Sequence, residues 1–235
     1  MSSKQDQVMN IKASDPRWKE LYRIGAMAAI VSELVLIIGM VAYFIYPYAP
    51  GNKSTESIFL LLQKDKLGGL ISLDFHLVLG NLFGIILFLA LYVSLKEVNG
   101  SYALIALVLG LIADVLIIPA RPIAELFTLS GLYASATTEA AKSQYLAAGD
   151  ALLSLFNGTG WFLNTLLGGF SLLMSSLLML RSHIFSRSTA YVGMITNAAV
   201  CLFFLPGMGT FFLFLSLPGY MIWYFQLARR FLKMQ

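Results

Sequence analysis

Apolar residues fill six long stretches between Ile24 and Ala228, with polar residues gathered in the gaps. A helix that crosses a bilayer needs about 20 predominantly apolar residues, so each stretch predicts one span. The expected spans are Ile24 to Tyr46, Leu67 to Leu95, Tyr102 to about Ala120, about Ala148 to Leu180, Thr189 to Leu205, and Thr210 to Ala228. Span one stops at Pro47-Tyr48-Ala49-Pro50-Gly51. Spans five and six are joined by Pro206-Gly207-Met208-Gly209, turn chemistry that makes them antiparallel neighbours. Span five is short, so a re-entrant hairpin around that turn is the alternative. The fold class expected is all-α: a polytopic six-helix bundle with two longer extracytoplasmic loops that are partly helical. Residues 1–23 form a cytoplasmic N-terminal segment, 24–228 a single six-span domain, and 229–235 a cytoplasmic tail.

The two long loops carry patterns of their own. Ser54 to Lys66 holds Ile58, Phe59, Leu60, Leu61 and Leu62 between charged ends. That is the pattern of a short helix lying in the interface or capping the bundle. Thr128 to Ala147 is rich in Ala, Thr and Ser, and is expected to run into span four as a helix that rises above the membrane. Gly68-Gly69 and Gly168-Gly169 sit in similar local sequence but at opposite depths, which argues against an inverted repeat.

Charge sets the orientation. Lys and Arg concentrate in cytoplasmic flanks. Lys4, Lys12, Arg17, Lys19, Arg23, Lys96, Arg181, Arg187, Arg229, Arg230 and Lys233 fall on one side, eleven in all. Lys53, Lys64, Lys66, Arg121 and Lys142, five in all, fall on the other. Both termini are therefore expected in the cytoplasm, in agreement with an even number of spans, and the plasma membrane is the expected location.

Composition adds limits. The chain has 235 residues, 58% of them hydrophobic and 12% charged. Soluble domains carry about 25% charged residues, so six spans and short loops leave no room for a soluble domain. The net charge of +4 reflects orientation and does not point to nucleic acid. A single cysteine, Cys201, excludes an intrachain disulfide and a cysteine-based metal site. The first apolar run is too long for a cleaved signal and reads as an uncleaved span.

The candidate chemistry lies in polar residues inside the spans. Asp114, Arg121 and Glu125 share one face if span three continues as a helix, although Pro119 and Pro122 interrupt it. Arg121 and Glu125 at i,i+4 could be no more than a helix-stabilising pair. Asp150, Asn157, Asn164 and Ser171 follow in steps of seven along span four, as a ligand face or as packing glue. Asp74 and Asn81 share a face of span two, and His76, Gly80 and Gly84 share another. Glu33 lies near mid-depth in span one. Charged groups are costly against lipid, so these residues should converge on a polar pocket between spans two, three and four. The pocket would open outward, with Glu33 at its floor. His76 has only His183 as a companion histidine, and His183 falls on the cytoplasmic side, so no metal is expected. No cofactor motif and no nucleophile–base pair appears, and an enzyme is the least favoured class. Pro218-Gly219 should bend span six, as a fixed kink or as a hinge.

Three short signatures resemble one family. They are Leu21-Tyr22-Arg23-Ile24-Gly25, Ala90-Leu91-Tyr92-Val93-Ser94-Leu95-Lys96-Glu97-Val98-Asn99 and Leu217-Pro218-Gly219-Tyr220-Met221-Ile222-Trp223. Together they resemble the prokaryotic six-span membrane family termed domain of unknown function 4386. That resemblance implies a multi-pass membrane protein and brings no established activity or catalytic residue. Hydrolases related to alkaline ceramidases need several intramembrane histidines for zinc, which this chain lacks. Two function classes remain. In one, the outer pocket handles a small molecule, lipid or ion. In the other, the chain is an assembly partner of another membrane protein or of its own copies, and the polar stripes serve only helix packing.

Overall fold

The computed structural model describes residues 16–45 and 53–235. The end of span one at Tyr46, its stop at Pro47 to Gly51, and Lys4 and Lys12 lie outside the described residues. Among the described residues the chain forms ten α-helices and no strand. They are α1 (Lys19–Ile45), α2 (Thr55–Lys64), α3 (Lys66–Ser72), α4 (Phe75–Leu95), α5 (Gly100–Leu116), α6 (Ile123–Ser135), α7 (Glu139–Ser154), α8 (Thr159–Arg181), α9 (Arg187–Cys201) and α10 (Gly209–Leu232). Several starts are written in the sequence. Ser54, Asp65, Asn99, Thr138 and Ser186 each accept a hydrogen bond from the backbone N–H three residues on. That bond satisfies a donor the first helical turn leaves open.

Six helices form the bundle. α1, α4, α5, α8, α9 and α10 each pack on the next in chain order, and α10 closes the ring against α1. Small residues set the close approaches. A Cβ on Gly25 would lie 2.6 Å from Ala90 Cβ, and one on Gly80 would lie 2.9 Å from Val35 Cγ1. These two crossings run α1 and α4 antiparallel. Gly110 receives the Phe88 ring in the same way where α4 meets α5. The turn between α9 and α10 follows its sequence: Pro206 leads Gly207, which adopts φ +77°, and Met208 N donates to Leu205 O at 3.2 Å. Only a residue without Cβ takes that φ cheaply. The helix α10 continues through Pro218, and Gly219 gives Thr196 of α9 room to sit against it. This favours the fixed-packing reading of Pro218-Gly219.

Two hydrophobic cores lie at opposite ends. One gathers Tyr22, Leu91, Leu95, Met179, Trp223, Leu227 and Phe231 at the end that carries the start of α1 and the end of α10. The other joins Ile58, Phe59, Leu62, Leu73, Leu126, Leu153 and Phe156 under a cap made by α2, α3, α6 and α7. Within the Ser54-to-Lys66 segment, α2 buries Ile58, Phe59 and Leu62 in this second core. The outside of the bundle is apolar too: Met27, Leu34, Val41, Ile105, Val115, Ile195, Phe211 and Phe225 are among its exposed side chains. Apolar exposure on that scale suits lipid rather than water. Among the described residues, four helical segments are long and apolar enough to cross a membrane: Lys19–Ala42, Phe75–Leu95, Glu139–Arg181 and Phe211–Leu232. Gly100–Leu116 is apolar but shorter.

Hydrogen bonds stitch the cap. Gln63 Nε2 donates to Ser130 O at 2.8 Å, and Ser130 Oγ donates to Phe59 O at 2.9 Å. Tyr133 Oη donates to Glu56 Oε1 at 2.6 Å. The Glu56 carboxylate accepts this bond and so holds the Tyr133 phenol above its ordinary range. A phenol raised by folding contributes stability below its unfolded value of about 10, and loses it as pH climbs through the folded value. In a phenolate absorbance titration, the step lost on Tyr133→Phe should therefore be a late one. Glu56→Gln should move that step to lower pH; an unmoved step would dismiss the contact.

Candidate functional site

Two of the expected continuous spans are broken, the third stops short of its two prolines as they foretold, and the three irregular stretches meet. Span two divides at Leu73 and Asp74, between α3 and α4. Asp74 sits at φ 61° and ψ 26°, the left-handed region that Asp tolerates better than most residues. Span three ends at Leu116, and the chain then turns twice. Arg121 N donates to Ile118 O at 3.2 Å, and Ile123 N donates to Arg121 O at 2.8 Å across Pro122 at φ −74° and ψ 61°. The second is an inverse γ-turn, and neither Pro119 nor Pro122 could have donated to a helix there. Span four is interrupted by the tight turn Leu155–Asn157 and by Gly158.

Arg121 joins the three breaks. Its Nε donates to Asp74 Oδ2 at 2.9 Å, and its Nη1 donates to Ala120 O and Phe156 O, each at 3.0 Å. The guanidinium carbon lies 4.8 Å from the ring centres of both Phe156 and Trp161. Arg121 is 4% exposed and Asp74 6%. Irregular backbone buried away from water must be satisfied by the protein itself. Here the guanidinium fork supplies the donors that a straight helix would have supplied, and the two aromatic faces favour its charge. Arg121 therefore pairs with Asp74 and not with Glu125, which is exposed on α6. The shared face expected for Asp114, Arg121 and Glu125 is lost because the helix does not continue.

Above this junction lies a cleft of ≈ 310 Å³ lined by Lys53, Ser54, Thr55, Asp150, Leu153, Ser154 and Asn157. Thr55 Oγ1 donates to Asp150 Oδ1 and ties α2 to α7. Asn157 follows Phe156, whose carbonyl holds Arg121, so the cleft and the junction share the same turn. The step-of-seven stripe of span four is split there. Asp150 and Asn157 line the cleft, whereas Asn164 and Ser171 lie in the bundle below. Asn164 Nδ2 donates to Asn81 Oδ1 at 2.8 Å and to Ala113 O at 2.9 Å, and Ser171 Oγ donates to Ala106 O. A similar bond, Tyr220 Oη to Asn197 Oδ1 at 2.9 Å, links α10 to α9.

The remaining candidates stand apart. Asp114 is buried on α5 against Gly84, where a Cβ would lie 2.5 Å from Asp114 Oδ2. His76 is half-buried on α4 with its Nε2 2.9 Å from where a Gly39 Cβ would be, and its Nδ1 has no hydrogen-bond partner among the described residues. Glu33 is half-buried on α1. No group of three or more His, Cys, Asp or Glu that could hold a metal occurs among the described residues. Lys53, Thr55 and Ser154 were not singled out by sequence, because ordinary loop and helix-surface residues carry no pattern. The partners of Arg121 were better announced. The two prolines foretold a break at Arg121, and Asn157-Gly158 could have foretold the one that delivers Phe156 O.

The family described as Domain of unknown function (DUF4386) matches residues 20–229, which cover the ring of six helices and the cap. No curated protein and no solved structure matches the chain. With a match over most of its length, this chain belongs to the DUF4386 family.

Proposed function

We propose that this chain is a six-span plasma-membrane protein with both termini in the cytoplasm, and that its outward-facing polar recess binds a small polar molecule, a lipid headgroup or an ion. The observation that carries the reading is the cleft of ≈ 310 Å³, six of whose seven lining residues are polar, adjoining the buried Arg121–Asp74 pair. Lys53 offers an ammonium for an anionic group and Asp150 a carboxylate for a cationic one. Ser54, Thr55, Ser154 and Asn157 offer neutral hydrogen bonds between them. The six-span count is supported by the closed ring and by the Lys and Arg bias. The 17 residues of α5 rise about 25 Å, and α9 with its following turn rises about 28 Å. Both approach the ~30 Å of a hydrocarbon core.

The test is to purify the protein and identify co-purifying small molecules and lipids by mass spectrometry, then repeat with Lys53→Gln and Asp150→Asn. A species enriched with the parent and depleted from both variants, at unchanged melting temperature, is the expected result. The same set of lipids on all three proteins would sink the reading. A second reading, an assembly partner of another membrane protein, is favoured by the internal hydrogen bonds of Asn81, Asn164, Ser171 and Asn197. Those residues then serve helix packing alone.

A further inference from the structure

Asp114 belongs neither to the cleft nor to the Arg121 junction. It is 7% exposed, and its Oδ2 has no hydrogen-bond partner among the described residues. Gly84 of α4 faces that oxygen and leaves room for it without offering a donor. An ionised oxygen buried without a donor or a cation is strongly disfavoured. The buried guanidinium of Arg121 is engaged by Asp74. A hard metal cation would need several more oxygen ligands, and no cluster that could hold one is assembled among the described residues. A proton needs no such set.

The titratable groups on the helices packed against α5 are few. Asp74 and His76 stand at the outer end of α4, and Tyr92 near its inner end. α8 carries Arg181 in its last turn. Tyr224 of α10 lies within electrostatic reach of Asp114. We propose that Asp114 is an intramembrane proton-binding site, its carboxyl group protonated in the folded bundle at neutral pH and able to exchange that proton. The proposal goes beyond the outer cleft and stands without it.

A hydrophobic carbodiimide tests it. Such a reagent reacts with a protonated carboxyl group inside an apolar phase. The acid's proton moves to one carbodiimide nitrogen, the carboxylate oxygen adds to the central carbon, and nothing leaves. The protein in lipid vesicles is treated with dicyclohexylcarbodiimide across a pH series, and the adduct is mapped by peptide mass spectrometry. The expected result is an adduct on Asp114 whose yield falls as pH is raised and returns when pH is lowered again. Absence of an Asp114 adduct at every pH, or a yield indifferent to pH, would overturn the proposal. The mapping uses the unaltered chain, so it does not depend on a variant folding. Lys53→Gln and Asp150→Asn should leave the Asp114 adduct unchanged, so failure of the cleft reading and failure of this one are told apart.

Discussion

Replacing Arg121 with alanine is expected to destabilise the folded protein by about 3–5 kcal/mol, the range for breaking a buried ion pair from one side. The substitution strands the Asp74 carboxylate in the interior. It also removes both donors from Ala120 O and Phe156 O and empties the space between the Phe156 and Trp161 rings. Asp74→Asn should cost distinctly less. Asparagine also tolerates the left-handed backbone at φ 61°, and the guanidinium keeps its two carbonyls and two aromatic faces. Arg121→Lys should fall nearer to alanine than to the parent. A point charge without the planar fork cannot hold three acceptors from three different breaks. The measurement is the unfolding midpoint of the purified protein in detergent. Equal losses for Arg121→Ala and Asp74→Asn would show that the ion pair alone matters and that the arginine does not join the breaks.

Much of this arrangement could be read from the sequence, and the limits are physical. Hydrophobic runs of membrane length reveal helices because lipid leaves a segment no other way to satisfy its backbone. The C-terminal ends of α4 at Leu95 and of α8 at Arg181 follow from that rule, and the turn at Gly207 follows from its φ requirement. Hydropathy is blind to a break when the residues around it stay apolar. Leu73 and Phe75 flank the corner at Asp74 with no proline or glycine to mark it. The step-of-seven pattern from Asp150 to Ser171 assumes an unbroken helix, and one tight turn at Leu155–Asn157 divides it into two sets with separate partners. Long-range pairing is harder still. Nothing local in the sequence says that Arg121 chooses Asp74, 47 positions away, over Glu125. Burial decides it: the Asp74 carboxylate is enclosed with the guanidinium, whereas Glu125 faces out.

Gly193→Ala should destabilise the protein by about 1–3 kcal/mol, the range for forcing an extra methyl into a packed core. Gly193 lies where α8, α9 and α10 cross. A Cβ there would lie 2.5 Å from Trp223 Nε1 and 2.9 Å from Trp223 Cε2, and it would also collide with Ser176 Oγ. Neither neighbour yields easily. Trp223 is 0% exposed, and Ser176 Oγ is held by Leu172 O at 2.7 Å. Alanine is the better helix former, which returns roughly 0.5–1 kcal/mol, so the loss reflects packing against backbone preference. Gly131→Ala isolates that preference. Gly131 is exposed on α6 with nothing within 4 Å of its Cβ position, so the same substitution should raise stability by about 0.5–1 kcal/mol. The two variants should thus shift the unfolding midpoint in opposite directions. A neutral or stabilising Gly193→Ala would mean that α8, α9 and α10 do not cross as closely as described. The packing of α9 against both its neighbours at this level would then be looser than these distances give.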